Sequence, residues 1–175
     1  MHSLAFYIGT HSIGLARENM DSTQLGKIVS GLSEWSAFDK TVLGKVPAQK
    51  GVYVIRLADA RKIGRLQGES DILYIGSNQS EGGLKQRFSH YFHPGPTQWT
   101  NRRVHDLMEK YSMEIAWFVC KNPVNLENSL LKQYVKDHDE LPPMNHADVR
   151  RFYESLSEAV GLGDKVTVIL TKGKT

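Results

Sequence analysis

The sequence predicts an α+β fold in which a small three-stranded antiparallel sheet is flanked by helices. Two segments rich in β-branched and aromatic residues, Gly51–Leu57 and residues 72–76, are separated by a polar loop and predict an antiparallel hairpin. Residues 113–120 have the same composition and predict the third strand. Helical patterns lie between and after these strands, so the predicted order is β-β-α-α-β-α.

Three helices are predicted around this sheet. The first covers residues 84–92 and stops at a His-Pro-Gly-Pro sequence, because proline cannot continue the helical hydrogen-bond ladder. The second runs from about residue 100 to residue 111, with apolar side chains on one face. The third begins at Pro123, a residue type that suits the first turn of a helix, and ends before Leu141.

Segments at both ends extend this core. The predicted parts are an N-terminal extension packed on the core, a central domain, and a C-terminal helix and strand: residues 1–46, 47–147 and 148–175. In the first part, residues 4–8 predict a short strand, and apolar side chains at helical spacing predict a helix over residues 21–35. In the last part, residues 147–160 predict a helix and residues 165–171 an alternating strand.

Composition indicates an ordinary globular protein. The 175 residues correspond to about one domain, and the contents of 40% hydrophobic and 23% charged residues exclude disordered and fibrous classes. A single cysteine, Cys120, excludes a disulfide framework and fits a reducing compartment. No stretch approaches the roughly 20 apolar residues of a membrane helix, and the N-terminus is a poor signal peptide. We therefore expect a cytoplasmic protein without a membrane partner.

Five features occur in one order along the predicted strands and helices: Gly51-Val52-Tyr53, Tyr74-Ile75-Gly76, Arg87 with Tyr91 one helical turn later, Glu127, and Asn145 after two prolines. This ordered set resembles the GIY-YIG nuclease family over residues 47–147. A further Tyr-Ile-Gly at residues 7–9 has no room upstream for a partner strand, so we interpret it as coincidental.

The chain departs from the family pattern at several positions. Val52 replaces the isoleucine of the first tripeptide, and the stretch between the tripeptides, residues 54–73, is long. Ser77-Asn78 follows the second tripeptide, where many relatives carry a lysine or another polar residue. Tyr91 stands where homing and restriction members often carry histidine. These departures concern proton handling more than the overall chemistry.

The resemblance implies a metal-dependent DNA endonuclease that hydrolyses phosphodiesters to 5′-phosphate and 3′-hydroxyl ends. It implies that Glu127 holds a single Mg²⁺ (or Mn²⁺), which prefers hard oxygen ligands and would stabilise the leaving 3′ oxygen. The planar donor fork of Arg87 suits the scissile phosphate. The alternative roles are a glutamate favoured at a helix N-terminus and an ordinary surface arginine.

The resemblance also implies that Tyr53 is the general base. A tyrosine with a pKa near 10 is only about 0.1% ionised at neutral pH, so this role requires a downward shift of about three units. Tyr74 would orient water or phosphate, and which tyrosine takes the proton stays open; alternatively the two form a cross-strand aromatic pair. Tyr91 lines the cleft or belongs to the core. Asn145 anchors the site by hydrogen bonds, or only fixes its own turn.

The charge pattern points to a nucleic-acid partner. The formal net charge is +3, and residues 50–121 contain 11 Lys or Arg against 7 Asp or Glu. Five of these cations lie in the hairpin loop or at a helix start, where we expect them to contact the phosphate backbone: Arg61, Lys62, Arg65, Arg102 and Arg103.

DNA is the expected partner, and RNA is an open alternative. Because one nuclease site cuts one strand per event, double-strand cutting would require a homodimer or two encounters. The competing hypothesis is a catalytically inactive nucleic-acid-binding module with the same fold.

Overall fold

The structure is a computed structural model that describes residues 20, 21, 23, 25, 26, 29, 31–59 and 61–145. Residues 31–59 and 61–145 form three α-helices, a four-stranded antiparallel sheet and a separate two-stranded sheet, which confirms the α+β class. The predicted strand at residues 4–8 and the predicted C-terminal helix and strand lie outside the described residues.

The predicted order of elements is present, with additions. The strands are β1 (Ser36–Ala37), β2 (Gly51–Leu57), β3 (Ile63–Gly64), β4 (Glu69–Ser70), β5 (Ile72–Asn78) and β6 (Met113–Val119). The helices are α1 (Gly83–Phe92), α2 (Trp99–Met108) and α3 (Pro123–His138), and a 3-10 helix, Lys40–Gly44, precedes β2. The sequence β2-β5-α1-α2-β6-α3 is the predicted β-β-α-α-β-α.

The main sheet has four strands instead of the predicted three. Its order is β1-β6-β2-β5, with β2 at the centre and antiparallel to both neighbours. The additional strand β1 comes from the predicted N-terminal extension and pairs Ser36 with Ile115. Next to it, the Ser33 backbone N–H donates to the Trp117 carbonyl at 2.9 Å. A two-residue strand shows no alternation, so the sequence pattern gave no sign of it.

The helix predicted over residues 21–35 is wrong at its C-terminal end. The backbone N–H groups of Leu25 and Val29 donate to the carbonyls four residues earlier, as in a helix. Gly31 then adopts a φ of +90°, and residues 32–35 are not helical. A glycine in the left-handed region commonly ends a helix, which is the physical reason for the shorter segment.

The sheet separates two hydrophobic clusters, and both of its faces are covered. On β2, Tyr53 and Ile55 face one cluster with α1, whereas Val52 and Val54 face the other with α3. Burial on both faces explains why β2 reads as a continuous apolar run. The first cluster also contains three buried residues from the segment before β2: Phe38, Val42 and Val46.

The β3–β4 hairpin is attached to the C-terminal end of α3. His138, which is fully buried, places Nδ1 2.8 Å from the Gln67 carbonyl oxygen and Nε2 2.8 Å from the Met20 carbonyl oxygen. Its ring packs on Tyr134 with centroids 4.4 Å apart. One side chain therefore joins the helix end, the hairpin and the segment at residue 20.

Gly83, at the start of α1, is required by its backbone conformation. Its φ is +56°, and a Cβ would lie 2.4 Å from the backbone N and O of Gln49. We expect Gly83→Ala to lower the free energy of unfolding by about 2 kcal/mol or more, because it adds both strain and a clash with the backbone. Urea denaturation followed by circular dichroism measures this change.

The matched control is Gly64→Ala, because a Cβ at Gly64 would meet nothing within 4 Å. Its free energy of unfolding should stay within about 0.5 kcal/mol of the wild-type value. Equal effects of the two substitutions would contradict the assigned role of Gly83.

Candidate active site

The glycines of the two tripeptides leave room for the side chain of one tyrosine to be buried on a face of the sheet. Tyr53 of β2 lies opposite Gly76 of β5 and is fully buried. A Cβ on Gly76 would lie 2.6 Å from Tyr53 Oη and 2.5 Å from Tyr74 Cε1. A Cβ on Gly51 would lie 2.4 Å from the Phe118 carbonyl oxygen. Both glycines are therefore needed for close packing at this end of the sheet.

Helix α1 brings Arg87 and Tyr91 onto Tyr53. Arg87 Nε donates a hydrogen bond of 2.9 Å to Tyr53 Oη, and the Tyr53 and Tyr91 hydroxyls are 2.5 Å apart. The Arg87 Cζ lies 5.0 Å from the centroid of the Tyr91 ring. Tyr74 completes the group, with its ring centroid 5.9 Å from that of Tyr53. We call Tyr53, Tyr74, Arg87 and Tyr91 the tyrosine–arginine cluster.

Burial determines the protonation of this cluster. It raises the pKa of Tyr53 well above its ordinary value; Tyr91 and Tyr74 add to the rise, and Arg87 opposes it. It raises the pKa of Tyr91 as well. Burial disfavours the charged form of Arg87, but the neighbouring tyrosines outweigh this and raise its pKa. The Tyr53 and Tyr91 phenols are therefore neutral and the Arg87 guanidinium is charged at neutral pH. A general base needs a shift in the opposite direction from the one that Tyr53 shows.

The three tyrosines differ in exposure. Tyr91 packs edge-on against Phe38, with centroids 5.7 Å apart, and is fully buried like Tyr53. It therefore belongs to the core and also directs its hydroxyl at Tyr53. Tyr74 is only partly buried. Of the three, Tyr74 is the tyrosine that solvent reaches.

Glu127 lies at the same end of the sheet, on the face covered by α3. Its carboxylate Oε2 accepts a hydrogen bond from Ser77 Oγ. Ser77 follows Gly76 along β5 and lies opposite Val52, whose side chain belongs to the α3 cluster. Ser77, which binds Glu127, is one residue along β5 from Gly76, which adjoins the tyrosine–arginine cluster. Glu127 and the cluster therefore lie on opposite faces at the same end of the sheet. Sequence reasoning noted Ser77 only as a departure from the family pattern, since its partner lies on a distant helix.

Asn78, which like Ser77 was noted from the sequence only as a departure from the family pattern, has a structural role at the end of β5. Its Nδ2 donates to the Gly83 carbonyl at 2.5 Å and to Ser80 Oγ at 2.9 Å. The end of β5 is thereby tied to the start of the helix that carries Arg87. An asparagine beside a glycine-rich turn was the available signal.

Asn145 anchors the loop after α3 to the edge strand. Its Oδ1 accepts a hydrogen bond of 3.0 Å from the Ile75 N–H, and its Nδ2 donates one of 2.6 Å to the Ile75 carbonyl. The Met144 N–H donates to the Leu73 carbonyl at 3.0 Å. Because β5 is an edge strand, these bonds satisfy backbone groups that would otherwise lack a strand partner.

The basic residues of the loop between β2 and β5 are engaged in ion pairs. Arg65 is a structural residue: its side chain is 8% exposed, and Nη2 contacts Glu140 at 2.9 Å and the Leu141 carbonyl at 2.8 Å. Lys62 Nζ lies 3.0 Å from an Asp21 carboxylate oxygen. Arg61 is exposed and lies 3.6 Å from its near neighbour Asp59.

The five predicted phosphate-contacting residues fall into two places. The β3–β4 hairpin, which follows Arg61 and Lys62, lies at the C-terminal end of α3, about 16 Å along the helix axis from Glu127. Arg102 and Arg103 are exposed on α2, which packs against the helix that carries Arg87. Of the five residues, the structure therefore places only Arg102 and Arg103 on the side of the tyrosine–arginine cluster.

The Glu127 carboxylate beside Ser77 fits a hard divalent cation whose coordination is completed by other ligands. The described residues contain no group of three or more His, Cys, Asp or Glu side chains that could hold a metal. Mg²⁺ is usually bound by one or two carboxylates together with waters and substrate phosphates, so a single carboxylate such as Glu127 is a sufficient protein contribution.

No helix in the described ranges is long and apolar enough to cross a membrane.

Comparisons with known proteins give no relative. No family model matches the sequence. Searches of curated proteins and of solved structures give no significant match either. The chemistry of the chain is therefore inferred from its own residues and their geometry.

The buried phenols should resist ionisation in alkaline solution. We expect Tyr53 and Tyr91 to stay protonated in the folded protein above pH about 10, where an exposed tyrosine ionises. Their neutrality stabilises the fold at lower pH, and this contribution is lost as the pH rises toward the folded-state pKa. The near-ultraviolet absorbance of phenolate, followed against pH with and without concentrated urea, measures both states.

One variant assigns the signal. Tyr53→Phe should lower the phenolate absorbance reached in urea but not that of the folded protein just above pH 10. A loss of absorbance in folded Tyr53→Phe equal to its loss in urea would show that the Tyr53 phenol ionises normally.

Proposed function

We propose that this chain is a metal-dependent DNA endonuclease of the GIY-YIG type, which hydrolyses phosphodiester bonds to 5′-phosphate and 3′-hydroxyl ends. The observation that carries the proposal is the hydrogen bond from Arg87 to the buried Tyr53, at the end of the sheet where Ser77 donates to Glu127. A fixed guanidinium for phosphate and a carboxylate for a cation thereby occupy one end of one sheet.

Arg87 binds the scissile phosphate in this proposal. It uses Nε for Tyr53, and its two Nη atoms carry four further N–H donors. Such donors bind phosphate oxygens in pairs. Because an arginine guanidinium stays protonated in proteins, the partly buried Arg87 stabilises negative charge that develops in the transition state.

Glu127 is the residue that would hold Mg²⁺ or Mn²⁺. The bound cation supplies Lewis-acid stabilisation of the leaving 3′ oxygen. Ser77 restrains the carboxylate by donating to Oε2, and a hydrogen bond of this kind sets the orientation of a metal ligand.

The tyrosines divide the remaining work according to exposure. Tyr53 is a neutral phenol, so its role is to hold Arg87 and Tyr91 in place. Tyr74 is the tyrosine that solvent reaches, and it is positioned to orient the attacking water or a phosphate oxygen. Asn145 keeps β5 in place from its outer edge.

One observation favours the second candidate, an inactive nucleic-acid-binding module. The hydroxyls of Tyr53 and Tyr91 are hydrogen-bonded to each other, and both residues are fully buried. An aromatic group satisfied in this way also stabilises a core that has no catalytic role. Measurement of DNA cleavage therefore decides between the endonuclease and the inactive binding module.

The test is cleavage of supercoiled plasmid by the full chain with Mg²⁺ or Mn²⁺, beside an EDTA control. We expect metal-dependent nicking or linearisation whose products are sealed by a DNA ligase, as 5′-phosphate and 3′-hydroxyl ends allow. Glu127→Gln should slow cleavage by about 100-fold or more, because a neutral amide would hold the stabilising cation much less tightly than the carboxylate does.

The matched control is Glu109→Gln, which removes a carboxylate that is 70% exposed after α2 and should cleave like the wild type. Cleavage by Glu127→Gln at the wild-type rate would contradict the proposed site. Absence of cleavage, combined with salt-sensitive retention of the plasmid, would establish the binding module instead.

A further inference from the structure

Trp99 presents a large aromatic surface to solvent. It occupies the first position of α2 and is 72% exposed. Tryptophan has a large apolar ring and is highly buried on average, so this degree of exposure calls for an explanation. The catalytic proposal does not use this residue.

The backbone that carries Trp99 is held firmly on both sides. Gln98 Oε1 accepts a hydrogen bond from the Gly95 backbone N–H at 3.1 Å and from Asn101 Nδ2 at 2.8 Å. Asn101 is itself buried, with 3% exposure. The two hydrogen bonds that Gln98 Oε1 accepts therefore fix the turn that leads into α2. They thereby fix the backbone position from which the Trp99 ring projects.

One arginine lies beside the ring, and a second follows it in the sequence. The Arg102 Cζ lies 5.7 Å from the centroid of the Trp99 ring, and Arg102 Nη1 donates to the Pro96 carbonyl at 3.2 Å. Arg103 is the next residue and is exposed. Within the described part of the chain neither arginine forms an ion pair. The surface combines a flat π-face with two positive charges that form no ion pair among the described residues.

We propose that Trp99 is a stacking platform for an unpaired base of a nucleic-acid strand, with Arg102 and Arg103 on the flanking phosphates. An aromatic side chain beside arginines is the chemistry with which proteins bind single strands. The inference rests on the proposed function and narrows its substrate to DNA with a single-stranded nucleotide near the cut.

A protein partner fits this surface less well. Three exposed residues close to Trp99 in the sequence are polar or charged: Thr97, Arg102 and Arg103. A protein-docking patch would require several hundred Å² of contiguous apolar surface. A membrane with anionic lipids shares the charge complementarity, and the experiment therefore includes it as a competing outcome.

The test is equilibrium binding of a fluorescently labelled oligothymidylate to the full chain in EDTA and low salt, measured by anisotropy. Trp99→Ala should weaken binding roughly 5- to 150-fold, the range for loss of one stacked base. Trp99→Phe should keep most of the affinity, because a phenyl ring still stacks. Binding of duplex DNA should change much less than binding of the single strand.

Tyr111→Ala is the matched control, since Tyr111 is 45% exposed just after the same helix and no arginine is adjacent to it in the sequence. It should bind oligothymidylate like the wild type. The proposal is overturned if Trp99→Ala keeps wild-type affinity, if the wild type does not bind the strand, or if Trp99→Phe loses as much as Trp99→Ala. It is also overturned if phosphatidylglycerol vesicles, and not the oligonucleotide, shift the Trp99 emission.

The binding assay is independent of turnover. If Trp99→Ala weakens binding and the wild type does not cleave the plasmid, the stacking proposal is supported and the endonuclease proposal is contradicted. If the wild type cleaves the plasmid and Trp99→Ala binds normally, the stacking proposal is contradicted and the endonuclease proposal is supported.

Discussion

The burial of the Tyr53 ring is the constraint on which the site depends. The ring fits only because Gly76, its partner on the neighbouring strand, has no side chain. From this position the Tyr53 hydroxyl contacts both Tyr91 and Arg87, so helix α1 is fixed against the sheet by a polar contact inside an apolar cluster. A one-residue slip of β2 would turn Tyr53 to the face of α3. The position of the guanidinium therefore follows from strand register.

Elements with a clear pattern of apolar residues could be predicted from the sequence, and elements that depend on contacts between distant residues could not. β2 and the three helices show their apolar patterns within short windows, and their predicted bounds agree with the structure to within a few residues. β1 has two residues, and its place depends on Ser33 and Ser36 meeting the strand β6, far along the chain. The β3–β4 hairpin likewise depends on His138 at the end of a later helix.

The same distinction applies to the candidate site. The spacing of Arg87 and Tyr91 places both on one helix face, so their proximity was accessible from sequence. The upward shift of the Tyr53 pKa could not be predicted, because it arises from complete burial on the face of the sheet that α1 covers. The contact of Ser77 with Glu127 and the burial of Arg65 against Glu140 each join residues that are distant in sequence. Burial and ion pairing of this kind depend on the finished fold.

A double-mutant cycle on cleavage rate tests the central claim most directly. Tyr53→Phe, Arg87→Lys and the double variant would be compared with the wild type under single-turnover conditions with Mg²⁺. If Tyr53 acts by holding Arg87, each single substitution slows cleavage, and the double variant is no slower than Arg87→Lys alone. Losses that multiply in the double variant, or a Tyr53→Phe protein that cleaves at the wild-type rate, would contradict the account.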